Sequence, residues 1–122
     1  MSKAIITNWS DAELDVYERN RIHRAMAGEK LENADYILSY EDVADAYRDI
    51  TPNRFKLLEA LQQLGTVSIY ALAKALGRHY RGVHTDVTAL IELDLIKRTP
   101  EGVCVPWESV EWQLRTRLAK AA

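Results

Sequence analysis

A mainly α fold with a small β component is predicted by three features of this 122-residue sequence. They are a Thr51-Pro52 helix start, glycine stops at Gly65 and Gly77, and a hairpin pattern centred on Pro100-Glu101-Gly102. The expected order is helix, short strand, helix, turn, helix and two-stranded hairpin, which is the order of a winged helix-turn-helix from about 51 to 107. A strand-helix-strand-helix lead-in over 1–50 precedes it, and a C-terminal helix over 108–122 follows.

In the lead-in, Ala4-Ile5-Ile6-Thr7 reads as a short strand, and Ser10 before Asp11 and Glu13 reads as the cap and acidic first turn of a helix reaching Met26. Its apolar positions Leu14, Tyr17, Ile22, Ala25 and Met26 follow a loose helical period. Tyr36 to Tyr40 has strand composition, and Glu41 to Tyr47 reads as a short helix with Val43 and Ala46 inward. Aromatic residues of this half, Trp9, Tyr17, Tyr36, Tyr40 and Tyr47, read as core, with some available for an interface.

Thr51 can cap free backbone N–H groups, and proline suits the first helical position, where its missing donor costs nothing. Phe55, Leu57, Leu58, Leu61 and Leu64 recur at helical spacings before Gly65. Val67 to Ile69 reads as one short strand, with Ser68 capping a second helix whose Leu72, Ala73 and Leu76 face inward before Gly77. The third helix is expected from Tyr80 to about Leu93. Leu95 to Arg98 and Val103 to Val105 form the hairpin strands. Trp107 to Lys120 reads as a last amphipathic helix, since Val110, Leu114 and Leu118 are four apart.

At about 100° per residue, Val83, Val87, Leu90 and Ile91 share one side of the third helix, and Arg81, Thr85 and Thr88 share the other. A helix with an apolar back and a polar front can enter a DNA major groove. Base edges are read near the N-terminus of such a helix, so Tyr80 and His84 join Arg81, Thr85 and Thr88 as candidates. Arg81 is the first candidate for a base, because arginine can pair bidentately with guanine. Lys74, Arg78, Lys97 and Arg98 suit phosphates. Read alone, each of these is also an ordinary surface residue, and Lys97 and Arg98 could equally blunt an exposed hairpin edge. Glu101 at the hairpin tip would repel phosphate.

Charge is uneven along the chain. Residues 1–50 carry 11 acidic and 6 basic side chains, net −5, whereas residues 51–122 carry 7 acidic and 10 basic, net +3. Only the second half suits a polyanion. The single cysteine, Cys104, excludes an intramolecular disulfide and a cysteine-cluster metal site. His79 and His84 are five apart, a poor spacing for sharing a metal with Asp86 or Cys104, so no metal and no cofactor are expected. No nucleophile motif or glycine-rich phosphate loop is present, which argues against an enzyme. With no long apolar run and no basic-then-apolar leader, a cytoplasmic protein without membrane contact is expected.

Leu72-Ala73-Lys74-Ala75-Leu76-Gly77-Arg78-His79-Tyr80, with Val83 to Val87 and Leu90 to Ile96, resembles MarR/ArsR-like winged-helix regulators. Thr51-Pro52-Asn53-Arg54 and Val103-Cys104-Val105-Pro106-Trp107 are similar to small proteins assigned a DNA-binding role and often encoded beside toxin genes. The resemblance spans about 36 to 108 and implies an antitoxin-like autorepressor. Three positions depart from it. Thr85 stands where a basic residue is common, His79 where an acidic or small polar cap is common, and Gly82 where Asn or Ser is usual, which implies weaker binding.

The expected partners are therefore double-stranded DNA, a second copy of the chain spanning two half-sites, and a toxin protein bound by the acidic first half. The terminal helix and the N-terminal helix compete as the dimerisation element. The alternative is a protein-interaction module that kept the winged-helix shape and lost DNA affinity, which the acidic pI of about 5.9 allows.

Overall fold

The computed structural model describes residues 2–29 and 35–116. Among them are five helices and five strands in the order β1 (Ala4–Thr7), α1 (Asp11–Met26), β2 (Tyr36–Ser39), α2 (Val43–Asp49), α3 (Pro52–Leu64), α4 (Ile69–Leu76), α5 (Tyr80–Glu92), β3 (Lys97–Thr99), β4 (Gly102–Cys104) and β5 (Val110–Gln113). They divide into two compact units, Met1–Ala46 with Glu108–Ala122, and Tyr47–Trp107, with α2 running across the division. None of the helices among the described residues is long and apolar enough to cross a membrane.

The first unit is a three-stranded parallel sheet of order β2-β1-β5. All four residues of β1 are buried, as a parallel strand with neighbours on both edges requires, which explains its unbroken Ala4-Ile5-Ile6 run. Helix α1 is the crossover that lets β2 lie parallel to β1, with Ala4 beside Tyr36 and Thr7 beside Ser39. On the other edge Ala4 pairs with Val110 and Thr7 with Gln113. Asn8 extends that ladder. Its Nδ2 donates to the Arg115 carbonyl at 2.7 Å and its Oδ1 accepts from the Arg115 N–H at 2.9 Å, so the amide side chain stands in for one more peptide unit.

The helix expected from Trp107 to Lys120 does not form over the described part of that segment; Val110–Gln113 is strand β5 instead. Val110, Glu111 and Trp112 combine β-forming residues with a polar one between them, and the open edge of β1 supplies backbone partners that an isolated helix turn cannot match. Leu118 and Lys120 lie outside the described residues.

Helix α1 starts as expected, with the Ser10 hydroxyl accepting from the Glu13 N–H. Its apolar period is misleading, because no residue of α1 is buried. Leu14, Tyr17 and Arg21 are half-buried along one side, and Ile22 and Met26 are exposed on the other. Trp9 and Tyr17 meet with ring centroids 5.4 Å apart.

In the second unit, α3, α4 and α5 enclose a core that includes Leu57, Leu61, Leu72, Val83, Val87 and Leu90, and Leu95, Ile96 and Val103 add to it. Thr51 caps α3 through the Arg54 N–H, with Pro52 opening the helix. Phe55 and Leu64, expected inward, lie at 37% and 45% exposure near the two helix ends, outside the Leu57-Leu58-Leu61 stripe. Ser68 caps α4 through the Ala71 N–H. The cap claims the chain for a helix at Ile69, so the strand expected over Val67 to Ile69 shrinks to a single bridge between Val67 and Val103.

Gly77 ends α4 in the left-handed conformation, φ 65° and ψ 33°. Its N–H returns to Ala73 and Lys74, and the Arg78 N–H reaches the Ala73 carbonyl at 3.1 Å, a Schellman ending that turns the chain into α5. Strands β3 and β4 pair antiparallel, with Lys97 beside Cys104 and Thr99 beside Gly102. Gly102, at φ 142°, lies so close to Val67 that an added Cβ would overlap the Val67 carbonyl oxygen and sit 2.6 Å from its carbon.

Candidate functional site

The exposed side of the α4-turn-α5 segment gathers most of the residues singled out from the sequence. Val83, Val87 and Leu90 bury the back of α5, which leaves Tyr80, Arg81, His84 and Thr85 exposed on its front. Tyr80 and His84, one turn apart, stand with ring centroids 5.8 Å apart. The Thr85 hydroxyl donates back to the Arg81 carbonyl at 3.0 Å, which occupies its proton and leaves oxygen lone pairs outward. Lys74 is exposed on α4, and Lys97 and Arg98 are exposed on β3.

Two candidates lie differently. Thr88 is half-buried, and its hydroxyl oxygen is enclosed without a hydrogen-bond partner among the described residues, so it belongs to the flank of the core and not to the polar front. It lies about 60° around the helix from Thr85 and about 60° from the half-buried Ile91, at the edge of the polar front. Arg78 is half-buried and held by an ion pair. Its Nη2 lies 2.8 Å from Asp86 Oδ2, and Arg54 Nε approaches the other oxygen at 3.0 Å. Arg54 Nη1 also donates to the Asp49 carbonyl at 2.7 Å. Asp86 thus ties the first turn of α3, the turn after α4 and the middle of α5 together.

Gly82 lies between the two ends of the Arg78–Asp86 pair on α5. A Cβ there would meet Arg78 Nη2 at 3.5 Å, an ordinary contact, so the glycine gives the guanidinium room without being sterically obligatory. Sequence reading missed this cluster, because three residues 24 and 8 positions apart share no local period; only the spacing of 78 and 86 at two helical turns, with 82 and 86 on one line of α5 and 78 in the turn before it, could have hinted at half of it.

A groove of about 380 Å³ runs between the start of α4, the start of α5 and the hairpin, lined by Ser68, Tyr70, Tyr80, Arg98, Glu101 and their neighbours. Tyr70, at 67% exposure, was not among the sequence candidates. A large aromatic on the solvent side of a short helix's first turn was the available signal. The groove therefore offers two phenol hydroxyls and one guanidinium, with one carboxylate at the rim.

His79, His84, Asp86 and Cys104 do not assemble a metal site, and no group of three or more His, Cys, Asp or Glu side chains among the described residues is placed to hold an ion. No curated protein and no solved structure matches the chain. A family model matches residues 49–112, which takes in α3, the α4-turn-α5 segment, the hairpin and most of β5. On that match, which spans more than half of its length, the chain belongs to the HVO_A0114 family.

Proposed function

We propose that residues 51–107 act as a winged helix-turn-helix that binds double-stranded DNA, and that the protein is a sequence-specific transcriptional regulator of the cytoplasm. The observation that carries this reading is the polar front of α5, with Tyr80, Arg81, His84 and Thr85 exposed above a wholly apolar back and a left-handed glycine turn leading into it. In this reading α5 enters the major groove and Arg81 reads a base, bidentate if it is guanine. Lys74, Lys97 and Arg98 bind phosphates, with the Tyr70 and Tyr80 hydroxyls donating to backbone oxygens in the groove beside the hairpin. Arg78 is a weaker phosphate ligand, since it is half-buried and its Nη2 is already engaged by Asp86, which it shares with Arg54. Thr88 has no base to read.

Occupancy of its own promoter would block polymerase sterically and needs no cofactor. The acidic first 50 residues, net −5, suit a basic protein partner, which supports an antitoxin-type autorepressor paired with a toxin, as the resemblance to small proteins encoded beside toxin genes implies. A second reading, an interaction module without DNA affinity, is favoured by Glu101 at the hairpin tip and the acidic pI of about 5.9.

A gel-shift titration of the protein against its own upstream DNA, with excess nonspecific competitor and Arg81→Ala beside the wild type, separates the two. A dimer making about six to ten phosphate contacts loses roughly 10³–10⁵ in affinity between about 50 and 200 mM salt. Specific, salt-sensitive binding that Arg81→Ala abolishes supports the regulator. Absence of wild-type binding at low salt overturns it in favour of the interaction module.

A further inference from the structure

Asp86 lies on the flank of α5, about 140° around the helix from Arg81. Its two oxygens are divided between two arginines. Oδ2 accepts from Arg78 Nη2 at 2.8 Å, and Oδ1 accepts from Arg54 Nε at 3.0 Å. The other terminal nitrogen of Arg78, Nη1, is enclosed and has no hydrogen-bond partner among the described residues. Neither end of that guanidinium fork is presented outward, although Arg78 stands in the turn that leads into α5. Enclosing an unpartnered donor costs stability, and water would satisfy it at the surface, so the bond to Asp86 holds Arg78 inward against its own solvation. The Asp86 side chain is only 14% exposed, so salt screens the pair weakly.

We propose that Asp86 is a positioning residue for DNA recognition: it withholds Arg78 from the phosphates, so that binding through α5 depends on the bases read more than on charge. This rests on the DNA-binding reading of α5. Phosphate contacts are available on any sequence, whereas base contacts need α5 held in one seat. Asp86 acts on both. It removes a cation from the sequence-independent share of binding. Through Arg54, which also donates to the Asp49 carbonyl at 2.7 Å, it fixes the middle of α5 to the first turn of α3.

Fluorescence anisotropy of the full-length protein on a random-sequence duplex and on its own upstream DNA, over a range of salt, tests this. Asp86→Asn keeps the size of the side chain and loses its charge. On the random duplex it is expected to bind roughly tenfold tighter at about 50 mM salt, with a log–log salt slope steeper by about one unit, as one added phosphate contact gives. On upstream DNA the gain is smaller, so the ratio of specific to nonspecific affinity falls. Asp86→Glu restores the wild-type slope, and adding Arg78→Gln to Asp86→Asn cancels the gain. Arg78→Gln alone changes the wild-type slope by well under about one unit. Weaker binding by an Asp86→Asn protein that still melts cooperatively, an unchanged slope, or a gain that survives Arg78→Gln overturns the proposal and leaves DNA binding standing. So does a full unit of slope lost by Arg78→Gln alone, an outcome that does not require Asp86→Asn to fold. A wild type that binds neither duplex removes the DNA-binding reading and this inference with it.

Discussion

Gly102 holds a backbone conformation, φ 142°, that side-chain-bearing residues rarely adopt, in a space where Val67 leaves no room for a methyl group. Gly77 is also left-handed, yet nothing lies within 4 Å of where its Cβ would be. Gly102→Ala is therefore expected to destabilise well beyond Gly77→Ala, which should cost only the left-handed penalty of about 1–2 kcal/mol. Urea midpoints of the two variants check the order. Tyr17 and Asp35 give a second prediction. The Tyr17 hydroxyl donates to Asp35 Oδ2 at 2.5 Å, and the Lys3 N–H donates to the other oxygen at 3.2 Å. Burial, reinforced by that hydrogen bond, pushes Tyr17 up to about 12. Burial also pushes Asp35 up, but the Tyr17 and Lys3 donors outweigh it and hold the carboxyl below its ordinary value. Asp35 thus lends stability above the ordinary carboxylate pKa that is lost as pH falls through its folded value. Tyr17 lends stability below its ordinary value of 10.0 that is lost as pH rises toward 12. Asp35→Asn should lower the Tyr17 ionisation while leaving it above 10.0, read from tyrosinate absorbance against a Tyr17→Phe control. Single residues of the local kind were legible in the sequence: the caps Ser10, Thr51 and Ser68 and the Gly77 turn each depend on three or four neighbouring positions. The Arg54–Asp86–Arg78 cluster was not, because it exists only once three segments have met.

Among the elements, α5 begins without the help its neighbours receive. Its N-cap His79 has the extended conformation of a cap, φ −62° and ψ 138°, but makes no side-chain hydrogen bond to the helix, whereas Ser68 and Thr51 both do. His79→Ser is expected to raise stability by about 0.5–1 kcal/mol, seen as a higher thermal midpoint. The helices of the second unit were legible because each has its own start, stop and apolar stripe. Strand β5 was not. Its residues satisfy a spacing of four as well as an alternation, and the edge of a strand more than a hundred positions away decides between them. Helix α1 had a legible start, but its period could not say which side meets the sheet, since apolar residues occupy both.

At the scale of the whole chain, the first unit is discontinuous, and the residues that complete its sheet follow the second unit in sequence. A protein ending at Trp107 would keep every element from α3 to β4 and lose β5. Hydrogen exchange on that truncated protein should show amides of α3 and α5 still protected and those of β1 exchanging fast, because β1 loses the neighbour on one edge. Loss of protection throughout would mean that the two units fold as one. The same connectivity sets an order of events during synthesis. Thr7 and its partner Gln113 are 106 positions apart. At about 5–20 residues per second, β1 leaves the ribosome roughly 5–20 s before the strand that closes its edge has been made. Through that interval Ala4-Ile5-Ile6 is an apolar strand with an open edge, and the nascent chain is vulnerable to misassociation at a segment that ends fully buried.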